Sequence, residues 1–484
     1  MKVLLAAVNA KYIHSNLGIY SLKAYGEKML AEQGFKREQI QIELAEYTIN
    51  HQLEQILKDL YCRKPDVIGF SCYIWNISYI KCLLADIKKV LPEVKIWLGG
   101  PEVSYCGEEI LREQPVVDLV MKGEGEETFA QLLQVLVEKE GSGASFSGYL
   151  EEIKQKGIPG LVFLDRPGNK DGAAWGTFAG GDRQAGWPVY DTGIRPPMDM
   201  NRIPFPYGFL EMEQLEHRII YYESSRGCPF SCAYCLSSID KSVRFRSLER
   251  VKEELFFFLN ARVPQVKFVD RTFNCKKSHA MAIWQFIRKN DNGITNFHFE
   301  IAADLLDQEE LDLLSSMRPG LIQLEIGVQS TNPDTLSAIR RKTDIAEIRK
   351  ITHHINSRHN IHQHLDLIAG LPHEDLSSFR KSFNEVYDME PEQLQLGFLK
   401  VLKGSYMHEK ASEYEIHYTD KTPYEVLFTK WLPYDQVLKL KKVEEMVELY
   451  YNSGQFVHTL PVLEKAFSDP FCLYERLAEY YEEK

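Results

Sequence analysis

The chain opens on an apolar run, Lys2 to Val8, and then places apolar residues at helical spacing from Leu17 to Leu30. The alternation continues through residue 140. Extended runs are expected at Ile40 to Leu44, Val67 to Cys72, Lys95 to Leu98 and Asp118 to Met121, and helices at Leu53 to Leu60, Ile77 to Val90 and Thr128 to Val137. Strands that alternate with helices predict an α/β fold with a doubly wound parallel sheet, because helices supply the crossovers that parallel neighbours need. Ligands of such sheets sit outside the carboxyl ends of the strands. The loops after those ends are Asn9 to Asn16 with His14 inside it, Ser71 to Asn76, Gly99-Gly100-Pro101-Glu102, and Lys122-Gly123-Glu124-Gly125-Glu126. Their glycines would let backbone approach a bulky ligand where a side chain would block it.

Residues 141–215 break the pattern. Gly141, Gly143, Gly148, Gly157, Gly160, Gly168, Gly172, Gly176 and Gly180-Gly181 lead into a proline-bearing tail ending at Pro204-Phe205-Pro206. This texture predicts a linker with a single hairpin at Leu161 to Asp165. Alternation then resumes, with strands expected at Ile219 to Glu223, Gln265 to Val269, Phe297 to Ala302, Leu321 to Gly327, His364 to Ile368 and Leu394 to Leu399. Six strands with crossover helices predict a partial (β/α)6 TIM-like barrel, whose chemistry belongs at the strand carboxyl ends. Beyond residue 405, Leu440, Val443, Val447 and Tyr450 share one helical face, and Phe467 to Tyr481 is rich in aromatics. A mainly helical C-terminal domain that caps the barrel is expected. The expected boundaries are 1–140, 141–215 as linker, 216–405 and 406–484.

A net charge of −12 disfavours a broad nucleic-acid surface, which would need lysines and arginines to neutralise phosphates. The basic stretch Lys241 to Arg250 leads into an amphipathic helix bearing Val251, Leu255, Phe258 and Leu259, and reads as a solvated first turn with one structural arginine. Met1 to Val8 reads as a strand rather than a leader, and no run of about 18 apolar residues suggests a membrane span, so a cytoplasmic location is expected. Nine cysteines without a repeating framework suggest reduced thiols.

Three of them stand together in Cys228-Pro229-Phe230-Ser231-Cys232-Ala233-Tyr234-Cys235, directly after the apolar run Ile219 to Tyr222. Four-iron clusters are normally held by four thiolates, so a three-cysteine set leaves one iron open to a substrate or cofactor. Gly227 and Pro229 keep the segment in a loop where the sulfurs can converge. Zinc with a distant fourth ligand such as His279 is the alternative from spacing alone. A strand, a glycine and then C-x3-C-x2-C with an aromatic before the last cysteine resembles the cluster loop of the radical S-adenosylmethionine enzymes. The resemblance implies a [4Fe-4S] cluster on Cys228, Cys232 and Cys235, S-adenosylmethionine on the open iron, and cleavage to a 5′-deoxyadenosyl radical. It also implies a reducing partner such as flavodoxin or ferredoxin.

Other segments extend the resemblance. Phe268-Val269-Asp270 through Asn274 is similar to the second-strand segment near the methionine part of that cofactor. Glu325 to Ser330, with Glu325 and Gln329, resembles the ribose-contacting fourth strand, and Asp366 to Pro372, with Gly370 and Pro372, the adenine-packing fifth. Glu300 is a further candidate on the third strand. The Gly-Gly-Pro-Glu and Gly-Glu-Gly-Glu loops resemble those of a Rossmann- or flavodoxin-like cobalamin-binding domain. This makes Asn9, His14, Ser71, Gly99, Gly100, Pro101, Glu102, Gly123, Glu124, Gly125 and Glu126 candidate cobalamin contacts. The family's Asp-x-His-x-x-Gly is missing, since Tyr12 stands in place of the acid and Gly18 follows His14 by four residues, so binding without a histidine on cobalt is implied. The usual Pro-Gly-Thr after the sixth strand is here Leu402-Lys403-Gly404-Ser405, and Cys275 reads as a small hydrophobe or a radical participant.

The implied function is a cobalamin-dependent radical enzyme that methylates an unactivated carbon of a small molecule or peptide. Within the subclass, cyclisation and ring rearrangement are alternatives. An RNA methylthiotransferase would need a second cluster, for which Cys62, Cys72 and Cys106 are available. A corrinoid or redox sensor is the non-enzymatic alternative.

Overall fold

The computed structural model describes residues 1–36, 38–140, 146–165, 187–208 and 217–483. They fall into two compact units, Met1–Ile219 and Ile220–Lys484.

The first unit is built on strands β1 (Lys2–Asn9), β2 (Gln41–Thr48), β3 (Val67–Ser71), β4 (Lys95–Gly99), β5 (Leu119–Met121), β6 (Leu161–Leu164) and β7 (Val189–Asp191), in the order β2-β1-β3-β4-β5-β6-β7. The pairs from β2 through β5 are parallel. Val3 through Val8 are all buried, as expected of a central strand covered on both faces. Helices Leu17–Glu32, Leu53–Arg63, Ile77–Val90 and Gly107–Glu113 make the crossovers, and helix Glu126–Glu140 follows β5. Asn16 caps the first of them by accepting from the Ile19 amide.

The stretch expected to be a linker does more than connect. Helix Phe146–Lys156 precedes β6, whose four residues are all buried, and β6 and β7 extend the sheet as two antiparallel strands. Four consecutive apolar residues bury enough surface to hold a short strand among glycines. The glycines at 141, 143, 168, 172, 176, 180 and 181 lie outside the described residues.

The second unit carries a six-stranded sheet of β8 (Ile219–Tyr222), β11 (Gln265–Phe268), β12 (Asn296–Ile301), β13 (Ile322–Gln329), β14 (His362–Ala369) and β15 (Gln393–Phe398), ordered β15-β14-β13-β12-β11-β8. The pairs from β11 to β15 are parallel. Strands β9 (Ser225–Arg226) and β10 (Arg244–Phe245) form a small antiparallel pair between the first two. The predicted basic stretch behaves structurally: Ser247 caps helix Leu248–Asn260, and Arg246 is buried against Glu254 at 2.7 Å.

Residues after 405 do not stand apart. Met407, Ala411, Ile416 and Val426 share one core with Ala233, Leu371, Leu399 and Val401. Helix Tyr434–Met446 runs into a π-helical turn, Val447–Asn452, and helix Pro470–Glu482 packs Tyr474 against Tyr387 and Phe383. No helix among the described residues is long and apolar enough to cross a membrane.

Candidate active site

The three clustered cysteines sit in the loop that leaves β8 through β9. Gly227 has φ +95°, and a Cβ there would lie 2.6 Å from the Ser242 carbonyl oxygen, so the approach of these two backbones requires glycine. The loop is held at several points. The Cys228 amide donates to Asp240 O at 3.2 Å, the Ala233 amide to Ile339 O at 2.9 Å, and the Met407 amide to Ala233 O at 2.8 Å. Cys228 and Cys232 are buried and Cys235 is half-buried.

Arg341 is the cation of this site. Its Nη1 lies 3.6 Å from Cys232 Sγ and 3.4 Å from the Tyr234 hydroxyl, and its Nη2 donates to Gly327 O. Burial works against the guanidinium, but the neighbouring Tyr234 and Cys232 hold its pKa up. Burial also pushes the Cys228 thiol up, and Cys232 and Cys235 are close enough to add to that. Among the described residues no group of three or more His, Cys, Asp or Glu side chains converges as a single-ion site. A zinc would need its donors about 2.0–2.3 Å from one point. A cluster instead takes each thiolate on a different iron, and a three-thiol loop beside a half-buried cation fits that donor pattern. His279, the alternative zinc ligand, is instead tied to Ser224 Oγ at 3.1 Å, and burial lowers its pKa to about 4.

Asp270 serves the loop from beneath. It is fully buried and accepts from Ser224 N at 3.0 Å, Ser224 Oγ at 2.8 Å and Ser225 Oγ at 2.5 Å. Burial raises its carboxyl to about 6 against those hydrogen bonds. Expected to approach the cofactor, it has both oxygens engaged by the residues before Gly227. Asn274 likewise clasps the end of β12, donating to Ala302 O at 2.8 Å and accepting from Ala302 N at 3.0 Å.

Alternation along the strands puts Lys267, His298, Glu300, Glu325, His364 and Asp366 on one face of the sheet, and register aligns Glu300 with Glu325 and Glu325 with His364. Glu325 bonds Lys267 Nζ and His298 Nε2, each at 2.9 Å. Although burial alone would raise it, these partners hold its carboxyl well below the usual range. Burial lowers the His298 pKa, while its hydrogen bond to Glu325 pulls the other way. Asp366 lies 3.0 Å from His364 Nε2, and burial raises its pKa. Glu300 has no hydrogen bond or ion pair within the described residues, and burial pushes it up to about 7 while Arg271 pulls the other way. The Gln329 Oε1 is buried without a partner, on a residue with φ +72°.

Gly370 does not open onto empty space. Its φ is +85°, and a Cβ there would lie 2.7 Å from Val426 Cγ1, so an apolar side chain fills the space where a side chain would stand. Pro372 is buried beside it, and Ser405 is buried as the cap of helix Tyr406–Lys410. Cys275 is half-buried, with its thiol raised to about 11 mainly by burial.

In the first unit, the predicted loops follow the carboxyl ends of β1, β3, β4 and β5, which parallel pairing puts along one edge. Gly100 has φ +114°, and a Cβ there would meet Cys72 O at 2.5 Å, while the Cys72 amide donates to Gly99 O at 2.7 Å and the Glu102 amide to Cys72 O at 3.3 Å. Ser71 O accepts from Asn76 Nδ2 at 2.9 Å. Gly123 donates to Ser104 Oγ at 3.4 Å, Glu124 accepts from the Met198 amide at 3.0 Å, Gly125 O takes the Phe129 amide, and Glu126 begins its helix. Pro101 is exposed. Asn9 donates to His14 O at 3.1 Å and to Glu46 Oε1 at 2.9 Å.

Sequence reasoning missed Glu46, which also accepts from the Asn16 amide at 2.9 Å, from Tyr20 and from Arg218 at 2.5 Å. It also missed Tyr73 and Trp75, stacked with ring centroids 4.3 Å apart, Trp75 being 45% exposed. Two aromatics close together in a loop after a strand end were the available signal. The cysteines proposed for a second cluster are dispersed: Cys62 lies exposed in helix Leu53–Arg63, and Cys72 is wholly buried with its thiol pushed up by burial.

Residues 3–133 match the B12 binding domain family, 222–386 the Radical SAM superfamily, and 412–484 a family described as Protein of unknown function (DUF4080). The cobalamin-dependent radical SAM methyltransferase TokK of Streptomyces tokunonensis is 26% identical over 394 residues, covering 75% of this chain and 51% of TokK. The anaerobic magnesium-protoporphyrin IX monomethyl ester cyclase of Rubrivivax gelatinosus is 22% identical, over 70% of this chain and 57% of the cyclase. The chain spans about half the length of the curated relatives it matches. The cobalamin-dependent S-adenosylmethionine radical enzyme OxsB superposes with a TM-score of 0.66 at 17% identity, over 100% of this chain and 70% of OxsB, which establishes the shared fold. The chain thus carries a B12 binding domain ahead of a Radical SAM domain, the pairing that cobalamin-dependent radical S-adenosylmethionine enzymes are named for.

Proposed function

We propose that the protein is a cobalamin-dependent radical enzyme that transfers a methyl group to an unactivated carbon of a small molecule or peptide. The observation that carries this reading is the three-cysteine loop, bent at Gly227 and backed by half-buried Arg341, at the carboxyl end of the first strand of the second sheet. Cys228, Cys232 and Cys235 would hold a [4Fe-4S] cluster, Glu300, Glu325, Gln329 and the strand ends around Asp366 would line S-adenosylmethionine, and the post-strand loops of the first unit would hold cobalamin. Bound there, these groups supply an electron, a 5′-deoxyadenosyl radical and a methyl group.

The chain's own part is positional. Arg341 offsets the negative charge of a thiolate-bound cluster, and the charges on Lys267 and Glu325 are mutually satisfied, which keeps that face ordered before a ligand arrives. Unpartnered Glu300 and Gln329 are the groups free to accept from ammonium or hydroxyl donors. The first-unit loops offer close-packed backbone at Gly99 and Gly100 and a flat aromatic pair at Tyr73 and Trp75, and no Asp-x-His-x-x-Gly set to ligate cobalt. This reading divides the chain into a corrinoid-binding part near 1–140, a radical part near 216–405 and a cap beyond 405. An external reductant such as flavodoxin or ferredoxin completes it.

Oxidative cyclisation is the second reading, favoured by the relatives named as cyclases. Protein purified without oxygen from cobalamin-supplied cells is expected to carry about one corrinoid and four irons per chain. Cys232→Ala should lose iron and keep corrinoid. Iron without corrinoid in the parent protein sinks the cobalamin assignment. Transfer of labelled methyl from S-adenosylmethionine to cobalamin separates methylation from cyclisation.

A further inference from the structure

The outer edge of β15 is capped at both ends and open between. At one end the Asn452 side chain pairs with Leu394 as a peptide unit would, its Oδ1 accepting from Leu394 N and its Nδ2 donating to Leu394 O, both at 2.9 Å. At the other, the Val426 amide donates to Leu399 O at 2.9 Å and the Val401 amide to Tyr424 O at 3.0 Å. Backbone groups of a strand point to alternate edges, so with Leu394 turned outward the N–H and C=O of Leu396 turn outward as well. Leu396 makes no bond on that side among the described residues. A cavity of about 470 Å³ lies against it, lined by Gln395 to Phe398, Lys400, Glu425, Lys441, Glu444 and Glu445. That volume is within the range of small-ligand sites, about 300–1,000 Å³.

The charges of this cavity are unbalanced. Lys441 pairs with Glu425 and lies 4.4 Å from the Phe398 ring centroid; Glu444, Glu445 and Lys400 make no ion pair among the described residues, so the lining sets three carboxylates against two ammonium groups. Burial and nearby Glu448 raise the Glu444 pKa, while Lys441 pulls it the other way.

We propose that this cavity binds the amino-terminal end of an extended peptide, one peptide unit pairing with the Leu396 backbone and the ammonium resting against Glu444 and Glu445. The gap between Asn452 and Val426 admits one residue in register, so recognition is of a chain end rather than of a long added strand. The pairing holds independently of the radical chemistry, because it needs no cofactor.

Hydrogen exchange and calorimetry on the full-length protein test it with alanyl-alanyl-alanine amide as probe. Exchange of the Leu396 amide is expected to slow about tenfold at saturating peptide, with the Leu394 amide, already held by Asn452, unchanged. N-acetylation of the peptide, or Glu444→Gln with Glu445→Gln, should weaken binding about tenfold or more. No slowing at millimolar peptide overturns the proposal, and so does equal affinity for the acetylated peptide. Iron and corrinoid content measured on the same sample reports separately on the function proposed above.

Discussion

At Gly227 a single backbone angle decides whether three thiols can face one another. An alanine there would have to hold φ near +95° with its Cβ 2.6 Å from a main-chain oxygen that has no rotamer to escape into. Gly454, with φ +65° and open space around its missing Cβ, separates the two costs. Gly454→Ala should lose only about 1 kcal/mol of stability. Gly227→Ala should lose about 2–3 kcal/mol and take up little iron on anaerobic reconstitution. Equal iron uptake by both variants would show that the loop does not depend on this approach. Glu300 makes a second test at this scale. Its carboxyl is raised to about 7 from 4.5, so the folded state binds more protons than the unfolded state between those values. Stability therefore falls as pH rises from 4.5 to 7 and levels off above. Glu300→Gln should match the parent near pH 4.5 and gain about 1 kcal/mol by pH 8, a figure discounted for its partial exposure. A constant difference in melting temperature across that range would refute the assignment.

At the scale of elements, the first helix of the second unit is tied to its sheet by a buried polar contact rather than by apolar packing alone. Glu254 accepts from the Tyr222 hydroxyl at 2.6 Å and from Arg246 at 2.7 Å, with all three residues buried. Arg246→Ala leaves Glu254 buried without its cation and should cost about 3–5 kcal/mol in denaturant unfolding. Arg246→Ala with Glu254→Gln should recover part of that loss, and failure to recover any would mean the arginine acts through packing. Contacts of this kind explain what the chain's pattern did and did not disclose. Periodicity exposed β1, β3 and the strands of the second sheet, because their apolar residues are consecutive or alternate over local stretches. The cysteine motif was legible for the same reason. Arg341 was not, since it lies 109 residues from Cys232, and neither was the Lys267–Glu325 pair, separated by 58 residues and joined only by strand register. Strand β6 lies within the hairpin expected at Leu161 to Asp165, whereas its partner β7, only three residues long and 25 residues further on, was hidden by brevity.

For the whole molecule, the question is how many cooperative bodies it contains. Helical periodicity beyond residue 405 suggested a separate cap, yet the packing makes that region part of the second unit. Val426 fills the space beside Gly370, Met407 donates its amide to Ala233 inside the cysteine loop, and the Asn452 side chain pairs with the edge of β15. Tyr387 donates a hydrogen bond to Glu464 and lies 3.2 Å from the Tyr474 hydroxyl, so strand-connecting and terminal helices share one buried polar cluster. A cap attached this way cannot melt without exposing Leu371, Leu399 and Val401. Scanning calorimetry of the full chain should therefore resolve two transitions, one for each compact unit, with no third assignable to residues 406–484. Truncation after residue 405 should remove the higher-order transition of the second unit altogether and leave that of the first in place. If the truncated chain kept a cooperative second transition, the cap would be an independent body, and the support it lends to the cysteine loop through Ala233 would be dispensable.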